Sequence, residues 1–200
     1  LIFLDKMNIA PTTELEAVNE LLKAVGETPV NSLESLGFTD ASIARDTLRT
    51  KAREVQSRGW YFNRDDVFTF RPATDGTVKI PANVLSIRPS RAEDRRIVPR
   101  GGFLWNVTDE TNVFEADNGP TVEVIWMYDF EALPETARRY ITVRAATQYQ
   151  TQVMGNDQLN AFTKDDEKFA LDALVYEERL YEERGNMFND GTAVLEIWQR

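Results

Sequence analysis

With neither cysteine nor histidine among its 200 residues, the chain forgoes Cys nucleophiles, His general bases, Ser-His pairs and the common zinc sites in one step. A formal net charge of -10 argues against tight sequence-independent DNA binding, which depends on Lys and Arg releasing counterions from phosphates. An acidic wall along which DNA slides without sticking remains compatible with that charge.

Hydrophobic residues make up 42% of the chain at a mean hydropathy of -0.42, and no apolar run approaches the roughly 20 residues needed to span a bilayer. That composition predicts one compact domain, or two small ones, without a cofactor or metal and without membrane insertion. The opening Leu1-Ile2-Phe3-Leu4-Asp5-Lys6 is too short for a signal-peptide core and suggests a trimmed or incompletely numbered terminus.

In chain order, Thr13 can cap a first helix, with Glu16 reaching back as a capping box, and Leu15, Val18, Leu22 and Val25 form its apolar stripe. Gly26 supplies the stop. The loop Glu27-Thr28-Pro29-Val30-Asn31-Ser32 leads to a second helix from about Asp40 to Arg58, with Ala44, Leu48, Ala52 and Val55 at helical spacing. The two stripes are expected to pack on each other. Gly59 can close that helix in the left-handed conformation, and Trp60 and Phe62 would then share one side of an extended segment, making this a structural corner.

From Val67 to Met127 the pattern turns to short alternating or β-branched runs. Strands are expected at Val67–Arg71, Thr77–Ile80, Val84–Arg88, Arg96–Val98, Phe103–Val107 and Thr121–Met127, with turns at Asp75-Gly76 and Asn118-Gly119. In the last strand Val122, Val124 and Trp126 would face one side. Helical character returns with Pro134 at the first helical position, through Ala137, Ile141, Ala145, Tyr149 and Val153. A final helix is expected from about Thr163 to Arg184, opened by Asp165-Asp166-Glu167 and buried through Phe169, Ala173, Tyr176 and Leu180. The fold class is therefore α+β: helices from both chain ends (1–66 and 128–185) packed as a bundle, a β-rich middle (67–127), and a C-terminal docking tail (186–200).

Three features invite a functional reading. Arg88, Arg91, Arg95, Arg96 and Arg100 fall within thirteen residues, interrupted by Glu93 and Asp94. They could be solvated loop charges, a contact for an acidic neighbouring surface, or a site touching passing DNA phosphate; inter-subunit contact is preferred. Glu177, Glu178, Glu182 and Glu183 could suggest the paired carboxylates of a glycosidase, but a solvated or lumen-lining helix face is the preferred reading. Leu195, Ile197 and Trp198 of the tail either cover their own core or anchor to a neighbouring chain. Gly101-Gly102 lacks the context of a nucleotide-binding loop and reads as a turn.

Five segments carry a family resemblance: Ala17-Val18-Asn19, Gly26-Glu27-x-Pro29-Val30, Gln56-Ser57-Arg58-Gly59-Trp60-Tyr61-Phe62-Asn63, Arg100-Gly101-Gly102 and Tyr128-Asp129-Phe130-Glu131-x-Leu133-Pro134-Glu135. In shared order, from about Thr13 to Phe188, they resemble the tail tubular protein A family of T7-like short-tailed bacteriophages. The resemblance implies a virion structural protein rather than an enzyme. It implies a dodecameric homo-oligomer, a head-to-tail adaptor and gatekeeper ring joining the portal protein to the nozzle of tail tubular protein B. Such a ring bounds the channel for double-stranded DNA and helps attach the tail fibre, after synthesis in the host cytoplasm. The first dozen residues, the loop around Ala73-Thr74-Asp75 and the tail depart from the family pattern. Two other classes stay open: a tail-associated polysaccharide hydrolase and a DNA-binding head-completion plug.

Overall fold

The computed structural model describes residues 11–34, 40–154 and 160–189, without the side chains of 154, 160–164 and 184–189. Leu195, Ile197 and Trp198 lie outside the described residues. The element order is α1 (Glu14–Ala24), α2 (Asp40–Gln56), β1 (Arg64–Thr69), β2 (Val84–Pro89), β3 (Ile97–Arg100), β4 (Phe103–Asn106), β5 (Thr121–Trp126), a 3-10 turn (Phe130–Ala132), α3 (Glu135–Met154) and α4 (Asn160–Asn189). This is an α+β protein of two compact units, one from residues 1–52 and 129–200 and the other from 53–128.

The helical unit is built around α3. Its buried residues point in every direction, Ala137, Arg138, Tyr140, Ile141, Thr142, Val143, Ala145, Ala146 and Tyr149 among them. A helix surrounded by partners has no single apolar stripe, so the one expected along Ala137–Val153 undercounts its burial, and Val153 itself is exposed. α1 and α4 both lie against α3, with Ala17, Val18, Leu21 and Leu22 forming the buried face of α1. The close backbone packing thus runs from α1 to α3 and not, as expected, chiefly from α1 to α2. α1 and α2 are joined through long side chains: the Glu14 carboxylate accepts from Arg45 Nε (3.1 Å) and Arg49 Nε (2.8 Å). α1 carries the full capping box between Thr13 and Glu16.

Buried Arg138 ties the entry of this unit together by donating to three carbonyls, those of Leu133 (2.7 Å), Thr12 (2.9 Å) and Glu131. Arg138→Leu leaves all three unpaired, and about 3 kcal/mol of stability is expected to go with them, measurable by urea denaturation; a change below 1 kcal/mol would contradict that role.

In the β-rich unit, β5 is the central strand of an antiparallel sheet ordered β1-β5-β2. Val122 and Val124 are fully buried, as alternation requires, and they join Phe70, Val78, Ile97, Leu104 and Phe114 in one core. Ile125, on the opposite face, is buried as well. β3 and β4 form a separate hairpin whose turn, Gly101-Gly102, has φ of 60° and 83°, the two-residue geometry that suits strand twist. The expected strand Thr77–Ile80 is reduced to isolated bridges, Thr77 to Val113 and Lys79 to Phe103.

Two expectations are corrected here. Residues 61–63 form a turn, closed by Asn63 N donating to Trp60 O at 3.0 Å, so Trp60 and Phe62 do not share one side of a strand. The Asn63 side chain competes for the local amides and bends the chain, which delays β1 to Arg64. On α4, the buried residues are Ala170 and Leu174, while Phe169 and Tyr176 are 74% and 64% exposed. The helix also starts a turn earlier than Thr163, placing Asp165 and Asp166 in its second turn.

Candidate functional site

The arginine-rich segment is folded into two kinds of position. Arg88 and Arg95 are paired with carboxylates within the β-rich unit, Arg88 while still exposed; Arg91, Arg96 and Arg100 are exposed as well. Arg88 Nη1 lies 3.0 Å from Glu123 Oε1 across the β2–β5 pair. Arg95 grips Glu93 with two parallel bonds of 2.8 Å and donates to the carbonyls of Asn118 (3.1 Å) and Gly119 (3.2 Å). Glu93 also accepts from the backbone amides of Thr121 (3.0 Å) and Arg95 (3.1 Å). The clamp fastens the loop before β3 to the entry of β5.

These donors hold the Glu93 carboxyl at about 2, against an ordinary 4.5, the Arg95 guanidinium contributing most, and desolvation opposing it. Because the folded value lies below the unfolded one, the stabilisation is complete above about pH 5 and is lost as the pH falls from 4.5 through 2. Glu93→Gln is expected to cost about 2 kcal/mol at pH 7 and to flatten the acid limb of a stability-versus-pH curve. An unaltered acid limb would contradict the clamp.

Arg100 alternates with Val98 along one face of β3, with Arg96 just before the strand, and Phe103 and Trp105 continue that face on β4, where Val98 pairs with Trp105 and Arg100 with Phe103. The Arg100 guanidinium sits 5.0 Å from the Trp105 ring centroid. The opposite face, Ile97, Leu104 and Asn106, is buried. The hairpin therefore presents an outward surface that is both aromatic and cationic. The sequence reading singled out the arginines without the two aromatics; the period-two alternation through Phe103-Leu104-Trp105 was the available signal.

The corner at Gly59 is held by polar groups that sequence reasoning missed. Gly59 has φ of 79°, and a side-chain carbon there would lie 2.7 Å from Ile125 Cδ1. Asn63, 1% exposed, accepts from Trp60 N (2.8 Å) and donates to the carbonyls of Gln56 (2.9 Å) and Trp126 (2.7 Å). Gln56 exchanges two bonds with the Tyr128 backbone, at 3.1 and 2.8 Å, and the Trp60 indole donates to Val55 O at 2.8 Å. Phe62 is half-buried, edge-on to Tyr61.

Along α4 the four glutamates occupy different environments. Glu177 accepts from the Thr136 hydroxyl of α3, Glu178 is half-buried, and Glu182 and Glu183 are exposed. Neighbours in a helix diverge by about 100°, so Glu177-Glu178 and Glu182-Glu183 do not present facing carboxylates. An open depression of about 310 Å³ in the helical unit is lined by Lys51, Arg144, Thr147, Gln148, Gln152 and Glu167. Among the described residues, no group of three or more acidic, Cys or His side chains could hold a metal ion, and no helix is long and apolar enough to cross a membrane.

What the geometry supplies is a set of surfaces and internal clamps, the equipment of an assembly component. The chain belongs to the tail tubular protein family, whose model matches residues 15–184, from α1 into the last turns of α4. It is accordingly a structural component of a bacteriophage tail. No curated protein matches the chain.

Proposed function

We propose that the chain is an A-type tail tubular protein: a dodecameric adaptor ring that joins the portal to the nozzle of tail tubular protein B, bounds the DNA channel and helps attach the tail fibre. The observation that carries this reading is the family match across 170 of 200 residues, which takes in both folded units, together with the ordered motifs from Thr13 to Phe188. The composition supports it. A net charge of -10 suits a conduit that DNA must traverse without adhering, and a chain without Cys keeps the same covalent form in the host cytoplasm, where it is made, and in the virion outside. The work is mechanical, with no reaction catalysed.

In this account the helical unit supplies packed subunit surfaces and residues 67–127 support the junction with the nozzle. Particles assembled without the chain are expected to package DNA into heads that carry no nozzle and lose their contents. Complete tails in its absence, seen by electron microscopy, would overturn the proposal.

A further inference from the structure

Two exposed surfaces of this one chain are similar in length and opposite in charge. On α4, Phe169, Ala173, Tyr176 and the half-buried Leu180 form a stripe at helical spacing, about 16 Å long, roughly 100° around the helix from the buried Ala170 and Leu174. Asp165, Asp172 and Glu183, all exposed, run along one flank of that stripe, within about 20° of one another around the helix, and the exposed Lys168 and Arg179 follow on the far side of them, so that the acids are the charges nearest the stripe. On the β3–β4 hairpin, the outward face holds Val98, Phe103 and Trp105 beside exposed Arg96 and Arg100, spanning about 13 Å from Arg96 to Arg100. One surface is aromatic with an acidic edge, the other aromatic with a basic edge.

We propose that the hairpin face of one copy docks on the α4 stripe of the next, and that this contact builds the ring. The inference rests on the ring reading given above and names the two surfaces that would make it. A second copy is the occupant that charge favours. Stripe against stripe would set Asp165, Asp172 and Glu183 against their own kind, whereas hairpin against stripe pairs them with Arg96 and Arg100. Two different surfaces meeting head to tail form a heterologous contact, which closes into a ring when the rotation permits; a contact between identical surfaces stops at a dimer. Aromatic and arginine side chains at the centre of such a contact are the types that contribute most to protein association. Duplex DNA is a poorer fit for the hairpin, since the chain as a whole repels phosphate.

The cysteine-free sequence makes the test direct. A Phe103→Cys chain mixed with a Tyr176→Cys chain under mild oxidation is expected to yield a disulfide-linked dimer well in excess of either chain alone. Separately, Arg96→Glu with Arg100→Glu is expected to weaken self-association about tenfold or more, with an unchanged melting curve showing that the fold is retained. Adding Asp172→Arg and Glu183→Arg to the same chain should restore assembly. Rings that form while the cysteine pair stays unlinked, or that survive the charge reversal, overturn the pairing and leave the ring reading standing. A wild-type chain that forms no oligomer, alone or on its portal, removes both. Efficient linking of Tyr176→Cys to itself overturns the pairing in favour of a stripe-to-stripe dimer. DNA retention at low salt that Arg96→Glu abolishes, with self-association intact, assigns the hairpin to nucleic acid and also overturns it.

Discussion

Gly119→Ala is expected to lower the stability of the β-rich unit by about 4 kcal/mol or more, since among the described glycines it is the one where an added carbon would approach its neighbours most closely. The added carbon would lie 1.9 Å from the Phe70 carbonyl oxygen, far inside contact distance, and that oxygen belongs to backbone. Backbone cannot step aside as a side-chain tip can. Phe70 N is bonded to Pro120 O at 3.0 Å, and Gly119 O accepts from Arg95, so moving either segment breaks the closure of β1 on β5 and loosens the Glu93–Arg95 clamp together. Chemical denaturation of the variant would show the loss as a large fall in midpoint. A midpoint close to that of the parent would mean that the Phe70–Gly119 approach is not a feature of the folded protein.

The second large effect is expected at Asn63. Its amide, on a side chain 1% exposed, joins the end of α2, the 61–63 turn and the end of β5 through one accepted and two donated bonds. Asn63→Ala removes the amide and leaves Trp60 N, Gln56 O and Trp126 O to find other partners, at a cost of about 3 kcal/mol or more. Gln56 sits in the same network, 0% exposed and bonded to Tyr128. Truncations at the two positions should therefore interact in a double-mutant cycle by 0.5 kcal/mol or more. Strictly additive losses, or a cost below 1 kcal/mol for Asn63→Ala, would contradict the network.

Local signals were legible where one residue decides one geometry. Thr13 with Glu16 marks the start of α1, Gly59 takes the left-handed conformation past α2, and Val122 and Val124 alternate into the core. α4 shows where such reading stops. Its sequence carries two apolar stripes about 100° apart, Phe169-Ala173-Tyr176-Leu180 and Ala170-Leu174, and helical period alone does not rank them. The aromatic stripe was the one expected to be buried. Packing against α3 buried the small one, Ala170 and Leu174, and left Phe169 and Tyr176 exposed. The same limit applies to the arginines. Five residues of one type in thirteen looked like one patch, yet Arg88 meets Glu123 through the β2–β5 register and Arg95 grips Glu93 two residues away in the loop before β3, which sets these two apart from Arg91, Arg96 and Arg100. Asn63 and Gln56 close the two ends of one of the family-like segments, yet the sequence gave no sign of their role, since a buried amide becomes recognisable only when the carbonyls it serves are brought together.

These corrections bear on function. The acidic and basic groups that remain exposed, and the aromatics that accompany them, are what an assembly contact can use; the clamped pairs keep the units in shape. The measurement that tests the adaptor account most directly is the native mass of the purified protein, alone and mixed with its portal ring. A portal complex that gains twelve copies of the chain is the predicted result, whether the isolated protein is a ring or a monomer. A chain that stays monomeric and ignores the portal under assembly-competent conditions would contradict it.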